Sequence, residues 1–450
     1  MSKLEYCPSA RGLVPSRSER GTNAVDLATP PPPHRPLPVR LINGVGRLAF
    51  RLTGKLPRLD ETSVLEAARR RTGLSDFGAP HFREGLRVLL RSLEEDGALN
   101  AMGRIMARAQ VVHALSVRLR VVDYRRLHPE LGEIDIARPL FVLGLPRTGT
   151  TILYSIIAQD PAHRSPSSWE LSDPLPPPDR LTYDSDPRIA RTDGELDQFR
   201  KLVPNIDSIH PMGARLPQEC LIVMAYDFHS LQYELCFNAT SYEAWYLGQD
   251  LRPTYRFHRE MLQLLSSRAP GQRWVLKSPQ HLASLDALLA EYPDALVVQT
   301  HRDPVKVLPS VSSLHYALRC ATSDAIDPHA VGREQSRLWS ESLSRAMRTR
   351  DAAPEHAAQF VDVQFQEILD DALAVVRRIY RHFDLPLTDE AERRMKEFIA
   401  RNPRDKHGTH RYTAAMFGLD DERIECEFAD YTRRFDIPRA ALEKDSHAAS

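Results

Sequence analysis

The sequence predicts an α/β fold built on a parallel sheet, with a helical lead-in before the sheet and a helical insertion within it. Three observations carry this reading. Four short apolar runs, at 140–143, 273–277, 295–300 and 360–363, have the length and continuity of strands buried on both faces. Helical segments, such as 282–291 and 371–383, separate these runs, and strands alternating with helices make a parallel sheet. The first run leads straight into a glycine-bounded turn that opens a helix, the arrangement in which an α/β sheet binds anions.

The chain has 450 residues, long enough to bury a sizeable core. Hydrophobic residues make up 42% and charged residues 27%, the profile of a globular protein. Lys plus Arg equals Asp plus Glu at 60 each, so bulk charge offers nothing to nucleic acid, and any anion site must be local. The five cysteines are scattered without a CxxC pair, which argues against a disulfide framework or a zinc site and fits a reducing, cytoplasmic compartment. No run reaches the roughly 20 apolar residues that span a bilayer, and the first 25 residues, without an apolar core, are not expected to act as a secretory signal.

Residues 1–40 are proline-rich and poor in large apolar residues, and are expected to be disordered. The stretch 41–59 is basic and partly amphipathic, with Arg47, Arg51, Lys55 and Arg58 among leucines. It is expected as a short helix packed on the rest, with peripheral contact to a membrane left open. Between 61 and 127 the apolar spacing is helical: Leu86, Leu89, Leu90 and Leu93 fall at i, i+3, i+4 and i+7, and Met102, Ile105, Met106 and Ala109 repeat it. The expected organisation is a helical lead-in over 41–137, a main domain over 138–437 with its insertion at 165–272, and a disordered tail at 438–450.

The turn reads Gly144-Leu-Pro-Arg147-Thr148-Gly149-Thr150-Thr151. Glycines let the backbone approach a phosphate, successive N–H groups curl around it, and hydroxyls at the helix start add donors. Gly144, Gly149 and Thr151 occupy the glycine and hydroxyl positions of GxxxxGK[ST], so the expected fold is three-layered and of the P-loop type. Thr150 stands where nucleoside triphosphatases carry their phosphate-binding Lys, which argues against triphosphate chemistry. A P-loop kinase or a nucleotide-binding protein is the alternative reading. The cation that remains in the loop is Arg147.

Here the chain resembles the sulfotransferases that use 3′-phosphoadenosine 5′-phosphosulfate (PAPS). The segment Pro146-Arg-Thr-Gly-Thr-Thr151 is similar to their 5′-phosphosulfate loop, in its bacterial form with Arg in place of Lys. Arg302 and, eight positions on, Ser310 are similar to the family's pair that binds the donor's 3′-phosphate. The block Lys277-Ser-Pro-Gln-His281-Leu resembles the bacterial Lys-Ser-Pro-x-His-Leu motif. The resemblance implies that Arg147, Thr148, Gly149, Thr150, Thr151, Arg302 and Ser310 bind PAPS. Lys406, in the basic loop 404–412, stands in for the family's Arg-Lys-Gly loop, from which it departs in detail.

The resemblance further implies an in-line transfer in which Arg147 and Lys277 stabilise charge and no metal is required. The acceptor hydroxyl needs a base. Glu170, at the distance from the loop where the Arg-type enzymes carry a catalytic Glu, is expected ahead of His281; Glu170 can also cap a helix, and His281 can be a structural histidine. The insertion is aromatic-rich between Tyr226 and Phe257 and contains Glu219, read as a helix-start residue or one facing the ligand crevice. An acceptor alcohol on a small molecule, lipid or glycan is expected there.

Overall fold

The structure, a computed structural model, describes residues 30, 35–53, 57–203, 206–209, 211–402 and 412–439. The expectations for the first 29 residues, for Lys55, for Lys406 and for the last 11 residues lie outside this set. The lead-in comprises α1 (Leu37–Thr53), α2 (Glu61–Thr72), α3 (Phe82–Glu95) and α4 (Ala101–Leu127). The first of these starts inside the stretch expected to lack structure. Strand β1 (Leu140–Gly144), α5 (Thr150–Ile157) and the two-residue β2 (His163–Arg164) follow.

Among its described residues the insertion holds seven α-helices: α6 (Ser168–Ser172), α7 (Pro187–Leu202), α8 (Ile206–Ile209), α9 (Cys220–Ala225), α10 (Gln232–Cys236), α11 (Thr240–Leu247) and α12 (Arg252–Ser266). Next come β3 (Arg273–Lys277), α13 (Leu285–Glu291), β4 (Leu296–His301), α14 (Pro304–Thr322), α15 (Pro328–Ala352) and β5 (Phe360–Gln364). The chain closes with α16 (Phe365–His382), α17 (Asp389–Arg401), α18 (Asp421–Glu427) and α19 (Ala429–Arg434).

The five strands form one sheet in the order β2-β3-β1-β4-β5, parallel throughout. Four of them match the apolar runs to within a residue or two. The edge strand β2 escaped because two residues carry no periodicity. Alternation along the strands assembles the three layers. Leu140 and Val142 of β1, Val275 of β3 and Val298 of β4 pack into one core with α5, α16 and α17. Phe141, Leu143, Leu276 and Val297 point the other way, into a larger core shared with the lead-in and the insertion.

Two helices differ from expectation for local reasons. The stretch 282–291 begins as a 3₁₀ turn, Pro279–Ser284, before α13 starts. The helix expected from Asp371 begins earlier, at Phe365, and breaks at Asp371 (φ −152°, ψ 89°). There the Asp371 carboxylate accepts from the Ala374 N–H at 2.9 Å, an N-cap that restarts the helix.

The carboxyl ends of β1, β3 and β4 lie side by side, with Val142 paired to Lys277 and Gly144 to Thr300. The chain leaves β1 toward β2 and β3 and later crosses to β4 on the other side. That reversal beside β1 is where an open α/β sheet binds ligands.

Candidate active site

The turn after β1 is held by its own side chains. The Thr148 hydroxyl donates to the Leu145 carbonyl at 2.6 Å and lies 2.6 Å from the Thr300 hydroxyl at the end of β4. Thr148 is fully buried and its hydroxyl is spent on these two contacts. Gly144 has φ +150°, and a Cβ there would stand 2.4 Å from Thr300 Oγ1 and 2.5 Å from the Thr300 carbonyl. Gly149 has φ +87°, and a Cβ there would meet Ile368 at 2.9 Å. Arg147 takes a positive φ of 67°, uncommon for a residue with a side chain. Gly149 is also the N-cap of α5 and supplies no side-chain acceptor to the amides of the first turn. Those amides face the end of the sheet where an anion would be held by the helix dipole. Thr150 is buried and Thr151 half-buried at the same helix start.

The second anchor meets the first directly. Arg302 follows β4, its guanidinium lies 4.1 Å over the Phe365 ring, and its Nη1 donates to the Arg147 carbonyl at 2.8 Å. Arg147 Nε in turn donates to Ser310 Oγ in α14 at 3.2 Å. Three of the expected donor residues, from three elements, thus form one chain of contacts. Asp303 serves as the N-cap of α14, its carboxylate accepting from the Val305 N–H at 3.0 Å.

Lys277 ends β3 and is nearly buried; its Nζ donates to a Glu219 carboxylate oxygen in a close ion pair. Glu219 is the N-cap residue of α9 but caps nothing with its side chain, which keeps 12% of its surface exposed. Next to Lys277, the buried Ser278 Oγ finds no hydrogen-bond partner among the described residues. An unsatisfied buried hydroxyl at a strand end is a vacancy of hydrogen bonding that an anionic ligand would fill. The segment preceding Glu219 is fastened to the wall beside the turn: the Gln218 N–H donates to the Pro166 carbonyl at 2.7 Å, and the Tyr154 hydroxyl donates to the Gln218 carbonyl at 3.1 Å.

Glu170 lies in that wall and is fully buried. It completes a capping box, accepting from the Ser167 N–H at 2.8 Å, and accepts from the Tyr183 hydroxyl at 2.8 Å. Its other oxygen pairs closely with Arg164. Both carboxylate oxygens are therefore engaged. His281 sits in the 3₁₀ turn after β3, fully buried, with Nδ1 2.6 Å from the Tyr255 hydroxyl and its ring edge-on to Phe141. Phe141 belongs to the core on the lead-in side of the sheet, so His281 is packed into that core. Burial, with His258 beside it, drives its pKa well below the usual imidazole value. Among the described residues, one group of His and Asp has ligand-like spacing: His81, Asp227 and His229. It lies under the lead-in, and Arg118 donates to Asp227 at 2.6 Å.

Comparison with known proteins gives the family. The sulfotransferase family model matches residues 139–389, which holds the turn, Lys277, Arg302 and Ser310. The chain belongs to the sulfotransferase family. Sulfotransferase STF1 from Mycobacterium tuberculosis H37Rv is 36% identical with a TM-score of 0.74, covering 82% of this chain and 98% of that one. Sulfotransferase STF9 from Mycobacterium avium is 32% identical with a TM-score of 0.77, covering 85% of this chain and 98% of that one. The omega-hydroxy-beta-dihydromenaquinone-9 sulfotransferase Stf3 of Mycobacterium bovis is 24% identical over 305 residues, 63% of this chain and 72% of that protein. This enzyme is thus a sulfotransferase of the bacterial type, and the kinase alternative falls away.

Two contributors were hard to read from the sequence. Glu219 stood in a Pro-Gln-Glu stretch with nothing to tie it to Lys277, which is 58 positions away. Phe365 carries no motif; its place under Arg302 is purely tertiary.

Proposed function

We propose that this sulfotransferase takes the sulfuryl group from PAPS and transfers it to the hydroxyl of a lipid or other apolar alcohol. The observation that carries the donor is the contact chain Arg302–Arg147–Ser310, which gathers two guanidinium groups and a hydroxyl at the mouth of the turn. Two cationic forks on one end of a sheet suit a ligand with two separated anionic groups. The unsatisfied Ser278 hydroxyl and the uncapped start of α5 fit the same ligand. Thr148 contributes by holding the loop's shape, and Gly149, Thr150 and Thr151 by their amides and the Thr151 hydroxyl.

In the transfer, the acceptor oxygen bonds to sulfur as the bond from sulfur to the bridging oxygen breaks. Adenosine 3′,5′-bisphosphate leaves, and the acceptor proton passes to a base. Lys277 takes up the charge that develops on the bridging oxygen. For the base, the geometry supports Glu219 ahead of Glu170 and His281. Glu219 is partly exposed and adjoins Lys277, whereas both oxygens of Glu170 are engaged and His281 is sealed in the core. With Arg147, Arg302 and Lys277 supplying the positive charge, the reaction as drawn needs no metal.

The lipid class rests on the acceptor in the name of the M. bovis relative, a menaquinone alcohol, and on the aromatic-rich insertion. A cytoplasmic setting fits Cys220, Cys236 and Cys320, which carry thiols. No helix among the described residues is long and apolar enough to cross a membrane.

The test is a thermal-shift measurement with adenosine 3′,5′-bisphosphate against ATP–Mg²⁺. A ligand at a hundredfold its Kd stabilises by about 2.7 kcal/mol, so the bisphosphate should raise Tm and ATP–Mg²⁺ should not. Arg302→Ala and Ser310→Ala should each lose most of that rise. No shift with the bisphosphate in the wild type would overturn the donor assignment, and labelled-donor transfer across lipid, phenol and sugar alcohols assigns the acceptor.

A further inference from the structure

We infer that α1 is a docking helix that seats this enzyme on an anionic lipid surface. The helix already has one partner. Val39 and Asn43 are buried, and the Asn43 side-chain oxygen accepts from the Met102 N–H of α4 at 2.9 Å. Gly46 lies so close to α4 that a Cβ would fall 2.2 Å from Ala101 Cβ. Arg35 bonds the Ser323 carbonyl at 3.1 Å and pairs with Asp324 at 2.8 Å, fastening the helix entrance to the end of α14. The helix is therefore held in a fixed orientation.

Its opposite side has no partner among the described residues. Leu37, Leu41, Val45, Leu48 and Leu52 are 57–76% exposed. At about 100° per residue these five side chains fall on one arc of about 80°, a continuous apolar stripe rather than scattered surface leucines. Arg40, Arg47 and Arg51 follow along one flank of the stripe, and the helix contains no acidic residue. Among the described residues, Arg47 makes a long, exposed contact with Asp324 at 3.5 Å. An apolar stripe edged by arginines is the pattern of a helix lying in a bilayer interface, with leucines among the acyl chains and guanidinium groups at the phosphates.

Charge selects lipid over the other occupants. A second copy of the same helix would bring two basic flanks together, and like charges at an interface oppose association. An anionic leaflet supplies the complementary sign to every arginine along the flank. The helix adjoins the far end of α14, about 20 Å along that helix from Ser310 at 1.5 Å per residue. Docking there leaves the donor site clear and concentrates the enzyme where lipid alcohols are found.

The test is co-sedimentation of the full-length chain with phosphatidylcholine vesicles and with vesicles that also contain phosphatidylglycerol. The wild type should sediment with the second kind, less so at high salt. Leu41→Glu/Leu48→Glu should lower the partition coefficient by about tenfold or more, since charge is poorly tolerated in the apolar face. Arg40→Glu/Arg51→Glu should remove the preference for phosphatidylglycerol. Both variants should keep the wild-type Tm and turnover on a water-soluble acceptor. Failure of the wild type to bind, or equal binding by the leucine variant, overturns the inference. So does a dimer that dissociates in the leucine variant without any vesicle binding. Vesicle binding is read without turnover, so its failure leaves the donor and acceptor proposals untouched.

Discussion

One proton transfer has three candidate bases, Glu170 and His281 expected from the sequence and Glu219 added by the structure, and their surroundings separate the three. Glu219 keeps an accessible carboxylate beside Lys277; changing it to Gln should cut kcat by about 10²–10⁴ while the Tm rise with adenosine 3′,5′-bisphosphate stays. Glu170 is locked in a buried pair with Arg164 and in a capping box. Removing one member of such a pair strands the other charge, so Glu170→Gln should lower stability by about 3–5 kcal/mol, read by urea unfolding. A loss of kcat in Glu170→Gln with unchanged stability would reverse the two roles. The motif Ser167-Ser-Trp-Glu170 was already a capping-box signature in the sequence. What could not be read there is Arg164, which turns a surface cap into a buried ion pair.

At the scale of elements, the strand–turn–helix unit at 140–157 was the most legible part of the chain. Its strand is a continuous apolar run and its turn is bounded by glycines, and both follow from local sterics. Gly144 and Gly149 are required by backbone conformation and close approach together. Gly144→Ala should cost on the order of 1–3 kcal/mol from overpacking, plus the strain of φ +150°. It should also weaken bisphosphate binding by shifting the turn relative to Thr300; a Gly144→Ala protein with wild-type stability would show that the turn can relax. The helices were less legible. Asp371 carries an N-cap signal that the chain does use, so the helix start was read there and the turn upstream was missed. The capping box Gln364–Glu367, which starts the helix earlier, was the competing signal.

Across the whole molecule, buried carboxylates outside the site tie the insertion to its neighbours, Asp227 to the lead-in and Glu234 to α14. Burial alone would raise the Asp227 carboxyl, but hydrogen bonds from His229 and His81 and the charge of Arg118 outweigh it and hold its pKa far below normal. For Glu234, burial is likewise outweighed, here by His315 and Arg319. Groups with depressed folded-state pKa values stabilise the fold fully above their unfolded pKa, near 4, and lose that contribution as pH falls toward the folded value. The unfolding free energy should therefore fall as pH drops below about 4. Asp227→Asn should be less stable at neutral pH and lose less on acidification. Equal pH slopes for the variant and the wild type would remove Asp227 from the acid response.

The sequence by itself determined four of the five strands, the turn after the first of them and which residues to propose as donor anchors, because each is written in neighbouring residues or in a fixed interval along one strand and helix. The tertiary structure alone decided which carboxylate stands beside Lys277, which histidine is sealed in the core, and which side of α1 has no neighbour. Those outcomes depend on contacts between segments tens to hundreds of positions apart. Backbone sterics and apolar periodicity act locally, whereas burial and ion pairing are settled only when the elements pack.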